Sequence, residues 1–220
     1  MARKKAKVLP MFRESWEAVG GLSLPSKMPG YGYSIPASMC NTGGKLRTIK
    51  GSTCNGCYAF RGNYCMPTVQ KALFRRFESL SDPNWVSNMV TLIKGMVTTE
   101  FRWHDSGDIQ SVDHLSKIVE IARQTPHIRH WLPTREYMFV RQFVDRGGTI
   151  PENLTIRLSA HFMNTTKWPK IEGTVVSSVH TNGNAPLDAH ICPARKQGNK
   201  CGECRACWDP NVSHVSYPKH

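Results

Sequence analysis

Eight cysteines constrain the fold of this chain more than any other feature, because they fall into two groups at opposite ends of its 220 residues. Both groups contain a two-residue spacer, which allows neighbouring thiolates to reach one metal centre. No cysteine lies between positions 65 and 192. The first group is Cys40, Cys54, Cys57 and Cys65, spaced C-x13-C-x2-C-x7-C, and the second is Cys192, Cys201, Cys204 and Cys207, spaced C-x8-C-x2-C-x2-C.

The N-terminus indicates a reducing compartment. The stretch MARKKAKVLPMF is basic, but no long apolar run follows it, so it is not a signal peptide. No apolar run approaches the length of a membrane helix, and no membrane partner is expected. We therefore predict a cytoplasmic protein, in which cysteines bind metals or act in catalysis rather than form disulfides.

The cysteine spacing favours iron–sulfur clusters. The run CGECRAC places three cysteines at successive two-residue spacing, close to the ferredoxin pattern, and Cys192 precedes a proline. We predict one or two clusters, of the four-iron type, with all eight cysteines as candidate ligands. Zinc is the alternative, although a zinc ribbon would show two CxxC pairs of similar spacing. A thioredoxin-type disulfide at CNGC would require the pair to open a helix directly after a strand.

The middle of the chain alternates between helical and strand patterns, which indicates βαβ units and a parallel sheet. About five such units cannot close an eight-unit barrel. The predicted fold class is therefore α/β, as a partial βα barrel or an open, mostly parallel sheet with a cysteine-rich C-terminal extension. The predicted domains are a basic arm (1–23), the partial barrel with its cysteine loop (24–185) and a cluster-binding tail (186–220). The predicted helices are 68–77, 85–97, 112–124 and 138–145, and the predicted strands are 31–38, the start of 101–109, 128–132, 154–158 and 174–179.

Polar residues follow the predicted strands, where α/β proteins gather functional groups. From this position we predict that Asp105, Ser106, Gly107, Asp108 and Arg135 bind a cofactor or substrate. Two alternatives remain open: the acids and the serine cap the following helix, or Arg135 pairs with its neighbour Glu136 on the surface. His104, His127 and His130 are interpreted as packing or surface residues.

The chain carries a formal net charge of +13 and a pI of about 9.6. This excess favours polyanionic partners, so nucleic acid or a host protein is a candidate partner of the basic surface. The basic residues are scattered rather than gathered into one stripe, which leaves open the interpretation that they only keep the protein soluble. The sequence does not determine the oligomeric state.

Several short stretches, taken in order from about Leu24 to Trp208, resemble an uncharacterised bacteriophage family, gene product eighty-eight. Membership would place the protein in the cytoplasm of a bacterial host, and it implies no established activity. The basic N-terminus and the tail after Trp208 lie outside the resemblance. The matching stretches are SIPAS before Cys40, CYA at Cys57, Arg102 with His104 and the SGD of 106–108, TR at 134–135, NL at 153–154, RLS at 157–159, and Cys192-Pro193 with CGECRACW.

More distantly, the chain is similar to radical S-adenosylmethionine enzymes. Those enzymes use a partial βα barrel, a three-cysteine loop after the first strand and an acid-bearing, glycine-rich turn after the second. Here Cys40, Cys54 and Cys57 follow the first predicted strand. The resemblance implies a cluster with one iron open to the amino and carboxylate groups of S-adenosylmethionine. However, the usual CxxxCxxC has become C-x13-C-x2-C, and Cys65 as a fourth ligand would close that iron.

Two functional hypotheses follow. In the first, the protein is an enzyme of the radical S-adenosylmethionine type, with Cys40, Cys54 and Cys57 holding the catalytic cluster and the C-terminal cysteines an auxiliary one. In the second, it is a non-catalytic iron–sulfur or zinc protein that binds nucleic acid or a host protein, or that transfers electrons. Counting cysteines favours the second slightly, because Cys65 completes a set of four.

Overall fold

Seven strands form one open, all-parallel sheet in the order β1-β2-β3-β4-β5-β7-β6. The computed structural model describes residues 10–219, so the first nine residues of the predicted basic arm lie outside it. The predicted α/β class and the open parallel sheet are confirmed. The strands are β1 (Tyr31–Tyr33), β2 (Glu100–Trp103), β3 (Arg129–Thr134), β4 (Leu154–Ser159), β5 (Thr174–His180), β6 (His190–Ile191) and β7 (His214–Pro218).

Six α-helices accompany the sheet, and four of them follow the predicted pattern. The helix at 112–124 has the predicted bounds, and Ser111 caps it by accepting a hydrogen bond from the His114 amide at 3.1 Å. The predicted helix at 85–97 ends earlier, at Lys94, where Gly95 follows. The helices are α1 (Arg13–Ala18), α2 (Asn41–Leu46), α3 (Pro67–Ser79), α4 (Trp85–Lys94), α5 (Val112–Gln124) and α6 (Tyr137–Asp145).

The sequence did not predict α1, α2, β6 or β7. Helices α1 and α2 have six residues each and β6 only two, so none of them is long enough to show a hydrophobic period. Strand β7 pairs with both β5 and β6. The segment 186–219 therefore contributes two strands to the same sheet as the preceding units.

One face of the sheet is covered by helices. Strands β1 to β5 lie side by side in chain order, and right-handed crossovers between such strands put their helices on the same face. The core between this face and the helices includes Trp103 of β2, Met89 of α4, Ile118 of α5, Val140 of α6 and Ile156 of β4, each 0% exposed. No helix within residues 10–219 is long and apolar enough to cross a membrane.

The opposite face is covered by the C-terminal cysteine segment. Side chains alternate between the two faces of a strand, so the neighbours of core residues point to this side. Trp131 of β3 packs edge-on against Trp208, with ring centroids 5.0 Å apart. Thr155 of β4 donates to the Trp208 carbonyl at 2.9 Å, and the Trp208 indole donates to the Phe101 carbonyl at 2.9 Å. The second group of cysteines is thus fixed against the centre of the sheet.

Arg157 of β4 makes the strongest connection between the sheet and this segment. Its side chain is 0% exposed and has no acidic partner among its hydrogen bonds. Nε donates to the Cys207 carbonyl at 3.0 Å, and Nη2 donates to the carbonyls of Ala206 at 2.6 Å and Asp209 at 2.8 Å. A fourth bond, from Nη1 to the Val176 carbonyl, measures 3.2 Å. The carbonyl oxygens therefore take the place of the water that the guanidinium loses on burial. The guanidinium in turn supplies hydrogen-bond donors to these buried carbonyls.

We expect Arg157→Lys to detach the C-terminal segment. A single ammonium cannot reach four carbonyls in different directions, so buried acceptors and part of a buried charge lose their partners, at a cost of about 3 kcal/mol in unfolding free energy. Urea unfolding should show this loss, and limited proteolysis should cut faster beyond Asp188. The matched control is Arg141→Lys, because Arg141 makes one surface bond, to the Lys170 carbonyl at 3.1 Å. Equal effects of the two substitutions would contradict the prediction.

Acid should also destabilise the protein through its buried histidines. His130 is 0% exposed, accepts from the Trp103 indole at Nδ1 (3.3 Å) and contacts the Thr125 hydroxyl at Nε2 (2.9 Å). Burial lowers the pKa of His130 from 6.5 to about 3. Between these two values the unfolded chain binds the proton and the folded protein does not. The stabilising contribution is therefore complete above pH 6.5 and is lost as the pH falls.

We expect protonation of His130 in the unfolded chain to lower the unfolding free energy by about 2 kcal/mol as the pH falls from 6.5 to about 5. Urea unfolding across this range should give a shallower pH dependence for His130→Gln than for the parent, although the variant is less stable at neutral pH. His127→Gln serves as the control because His127 is exposed. Parallel stability profiles for parent and His130→Gln would show that the residue does not titrate as described.

Candidate functional site

The carboxyl ends of β1 to β4 meet at one edge of the sheet, and the loops that follow them carry the predicted site residues. Cys40 follows β1, Asp105 to Asp108 follow β2, Arg135 and Glu136 follow β3, and His161 follows β4. In parallel α/β sheets this edge is where ligands bind. The structure therefore brings together residues that are more than one hundred positions apart in sequence.

Three thiols of the first cysteine group lie together at this edge and form what we call the three-cysteine site: Cys40, Cys54 and Cys57. A Cβ built on Gly43 would lie 3.6 Å from the Sγ atoms of both Cys40 and Cys54. Burial raises the pKa of the Cys40 thiol well above its ordinary value, and negative charge on Asp108, Cys54 and Cys57 raises it further. The Cys40 and Cys54 thiols thus both border Gly43, where a side chain would be tight because its Cβ would lie 3.0 Å from Cys40 Cβ.

Cys65 is exposed, unlike the other three cysteines of this group, and it ends a short 3-10 helix, Gly62–Cys65. All eight cysteines are free thiols. Exposure therefore distinguishes Cys65 from the other three residues predicted as ligands from this group.

Asp108 joins the loops after β2 and β3. One carboxylate oxygen accepts from the Thr134 hydroxyl at 2.6 Å and from the Ile109 amide at 2.8 Å, and the other accepts from the Arg135 amide at 2.8 Å. Burial raises the pKa of Asp108 to about 6, although these hydrogen bonds oppose the shift. Its carboxylate is committed to protein donors, which makes Asp108 a positioning residue.

The rest of the predicted acidic turn contacts the chain around Cys40 and Cys57. Asp105 accepts from the Tyr64 hydroxyl at 2.9 Å and is also bonded to Ser34, and its carbonyl accepts from Tyr58. The Ser106 hydroxyl donates to the Ile35 carbonyl at 2.9 Å. Ser111, rather than any of these residues, caps α5. The capping interpretation is therefore wrong, and the turn instead holds the cysteine loop in place.

Gly107 is required by the backbone of this turn. Its φ is +79°, a left-handed value that side chains disfavour, and a Cβ here would lie 2.3 Å from Ile35 Cγ1. The glycine allows the turn after β2 to pack directly against the chain after β1. It therefore contributes to the site through shape rather than through a contact of its own.

Arg135 and Glu136 do not pair with each other but connect the cysteine loop to β3. Glu136 is buried and accepts from the amide and the hydroxyl of Thr42, at 2.7 and 2.8 Å, in the first turn of α2. Arg135 donates from Nε to the Thr53 hydroxyl at 3.0 Å, next to Cys54. Its positive charge lowers the pKa of the Cys40 and Cys54 thiols, against the larger effect of burial. Among the predicted cofactor-binding residues, Arg135 is therefore the one whose charge favours the thiolate form of these cysteines.

Two of the four C-terminal cysteines have side-chain partners on the last two strands. Cys204 Sγ lies 3.4 Å from His190 Nε2, and Cys207 Sγ lies 3.2 Å from the Tyr217 hydroxyl. The charge of Cys192 acts on both Cys201 and Cys207, and burial raises the pKa of Cys207 to about 12. Binding of one metal centre by these four cysteines stays a prediction, whereas the contacts with His190 and Tyr217 follow only from the unpredicted strands β6 and β7.

Sequence reasoning missed Arg102 as a site residue, although it noted the position. Its guanidinium lies 4.4 Å from the ring centre of Trp131, and its Nε is buried without a hydrogen-bond partner among the described residues. Its charge lowers the pKa of Cys201 and Cys207 in the second group and also acts on Tyr64 of the first segment. The signal was available: a basic residue between two aromatics in a buried strand, FRW.

Among residues 10–219, no group of three or more His, Cys, Asp or Glu side chains is arranged so that it could hold a metal ion. A single zinc ion would require its thiolate ligands to converge to about 2.3 Å from one point. Metal binding by either cysteine group is therefore a proposal for this protein.

The fold and the rim of cysteines define a parallel α/β protein with one thiol site at the carboxyl ends of its strands and another beneath the sheet. The chain belongs to the gene product 88 family, a phage protein family, whose model matches residues 3–210. No curated protein and no solved structure matches the chain significantly. The resemblance to radical S-adenosylmethionine enzymes thus has no support from these comparisons.

We expect Glu136→Ala to loosen the loop that carries Cys40. The substitution leaves the Thr42 amide without its acceptor, which should cost about 1–3 kcal/mol of unfolding free energy. In metal-free protein, alkylation followed by peptide mass spectrometry should show faster labelling of Cys40 but unchanged labelling of Cys207. Glu152→Ala is the control, since Glu152 is exposed. Unchanged labelling of Cys40 would mean that Glu136 does not hold this loop.

Proposed function

We propose that the protein binds an iron–sulfur cluster at the three-cysteine site and acts as an enzyme of the radical S-adenosylmethionine type. The observation that carries this proposal is the proximity of the Cys40 and Cys54 thiols to Gly43 at the carboxyl edge of a parallel sheet, with Cys57 in the same loop and Cys65 exposed. Three thiolates would leave one iron of a four-iron cluster without a protein ligand. That arrangement favours the enzyme over a closed, non-catalytic cluster.

The residues at this edge fit such a group in chemistry. Thiolates are the usual ligands of iron–sulfur clusters, and Gly43 places no side chain beside two of the three sulfurs. The thiols must lose their protons to bind, and the positive charge of Arg135 favours this loss. When bound, a cluster of this kind supplies single electrons at low potential.

The chain's own residues would orient and bind. Arg135 uses Nε to hold Thr53, and its remaining guanidinium donors suit the carboxylate of a cofactor such as S-adenosylmethionine. Asp108 and Glu136 fix the backbone on either side of Arg135, so that this cation and the thiols keep their relative positions. Tyr58 and Tyr64, bonded to Asp105, hold the chain after Cys57 against the turn that follows β2.

The C-terminal group supports an auxiliary cluster in the same proposal. Cys192, Cys201, Cys204 and Cys207 come from one segment, and Arg157 and Trp208 fix that segment against the sheet. Four thiols complete the ligand set of a closed cluster, which suits a structural or electron-transfer role. The positive charge of Arg102 favours the thiolate forms of Cys201 and Cys207 in this group. Zinc is the competing occupant of each group.

We expect anaerobic reconstitution to give protein with iron and acid-labile sulfide. Because Cys65 is outside the three-cysteine site, Cys65→Ser should keep its full iron content. Cys57→Ser should lose the iron that is bound at the three-cysteine site. Adding S-adenosylmethionine should change the electron paramagnetic resonance spectrum of the parent and of Cys65→Ser, but not that of Cys57→Ser.

Cys204→Ser serves as the second arm of this experiment. It should lower iron content through the C-terminal group while keeping the spectral response to S-adenosylmethionine. Zinc-loaded protein without sulfide after anaerobic preparation would overturn the cluster. Equal iron loss in Cys65→Ser and Cys57→Ser, without a response to S-adenosylmethionine, would instead indicate a closed, non-catalytic centre.

A further inference from the structure

The segment that surrounds the three-cysteine site is strongly positive. Between Glu17 and Glu78 the sequence contains no acidic residue and eight basic ones. All of these except Arg76 are exposed. The basic residues are Lys27, Lys45, Arg47, Lys50, Arg61, Lys71, Arg75 and Arg76.

The acidic residues at this edge are turned inward. Asp105, Asp108 and Glu136 accept hydrogen bonds from Tyr64, Thr134 and Thr42, as described above. Asp108 and Glu136 are buried. Their oxygens are therefore not available to compete, at the surface, with an anionic partner for the lysines and arginines around the site.

Aromatic side chains lie among these cations. Tyr58 is 53% exposed, Phe60 is 38% exposed and Phe162 is 44% exposed. The Arg47 guanidinium lies 4.4 Å from the ring centre of Phe60. Phe162 is held beside the cysteine loop, because its backbone forms a bridge with Ser52. Exposed aromatic rings next to cations suit an anionic partner with flat aromatic groups that can stack on them.

The cations lie directly over the loop between two of the thiols. A Cβ built on Gly56 would lie 3.3 Å from Arg61 Nη2, which places Arg61 at the turn between Cys54 and Cys57. The Asn55 side chain in the same turn donates to the Arg47 carbonyl at 2.9 Å. We call the surface formed by Lys45, Arg47, Lys50, Tyr58, Phe60 and Arg61 the cysteine-loop face.

We propose that the cysteine-loop face binds single-stranded nucleic acid. Its lysines and arginines contact phosphates, and an unpaired base stacks on Phe60 or Tyr58 beside the three-cysteine site. Basic grooves with exposed aromatics are how proteins hold single strands, because every base has a face that can stack. A duplex keeps its bases stacked on each other, and an acidic peptide has no bases, so neither uses the aromatic rings.

This inference rests in part on the proposed function, because it makes a nucleic acid the substrate class of that enzyme. Binding itself does not depend on a cluster. We therefore test it by fluorescence anisotropy on full-length protein, both metal-free and anaerobically reconstituted. The probes are labelled oligouridylate and oligothymidylate of about fifteen nucleotides, and a duplex of the same length. Single strands should bind at least about tenfold more tightly than the duplex, with or without iron.

Two variants separate the phosphate contacts from the base contacts. The slope of log affinity against log salt is negative, and the double variant Arg47→Gln, Arg61→Gln should reduce its magnitude by about 1.4. Each phosphate contact contributes about 0.7 on a single strand. Phe60→Leu should weaken binding about tenfold and leave the slope unchanged. The charge-matched control is Arg146→Gln with Lys170→Gln, which lie away from the carboxyl edge, at the end of α6 and before β5, and should change the slope little.

Three results would overturn the proposal. One is equal affinity for duplex and single strands. Another is a combined result: polyglutamate at equal charge concentration displaces the oligonucleotide, and Phe60→Leu does not change the affinity for the oligonucleotide. That result would indicate a surface that binds anions or acidic proteins in general. The third is a salt slope that the control variant lowers as much as the Arg47 and Arg61 variant. Thermal unfolding midpoints equal to the parent's exclude misfolding of the variants, and binding without iron separates this proposal from the failure of the cluster.

Discussion

The buried guanidinium of Arg157 is the interaction on which the arrangement of both faces of the sheet depends. A cation in the middle of a central strand would be too costly to bury without partners. Carbonyls of the C-terminal segment supply them, at Cys207, Ala206 and Asp209. The segment that carries the second cysteine group is therefore required by the sheet as much as it is supported by it. This dependence explains why a face that carries Arg102 and Arg157 is covered by loops rather than by helices.

At the carboxyl edge, the same principle operates through carboxylates. Asp108 joins the loops after β2 and β3, and Glu136 joins the loop after β3 to the helix that follows Cys40. Each of these hydrogen bonds joins chain segments that meet only because the strands are parallel and in register. These bonds help to hold the loops that carry Cys40 and Cys54 in place. Asp108, which the sequence predicted to bind a cofactor or substrate, accepts hydrogen bonds from the protein at both of its carboxylate oxygens.

The inward direction of these acids has a second consequence for the surface. With the carboxylates paired inside, the exterior of the cysteine loop keeps its lysines and arginines without acidic neighbours from the same segment. The scattered appearance of the basic residues along the whole chain concealed this local segregation. A site with thiols beneath and cations with aromatics above is suited to a large anionic partner rather than to a small neutral one.

By itself, the sequence determined the α/β class, the bounds of α5 and the separation of the cysteines into two groups, because hydrophobic period and CxxC spacing are local properties. It also placed Asp108, Arg135 and Cys40 at strand ends. It did not determine that Cys65 is exposed while Cys54 is buried, since the seven residues between Cys57 and Cys65 can turn either way and only packing decides. Nor did it predict β6 and β7, whose pairing depends on partners far away in sequence. It also did not distinguish the role of Asp108, which positions the backbone, from that of Arg135, whose charge acts on the thiols. Those distinctions depend on which donors the fold brings within hydrogen-bond distance, and that is decided only when the strands assemble.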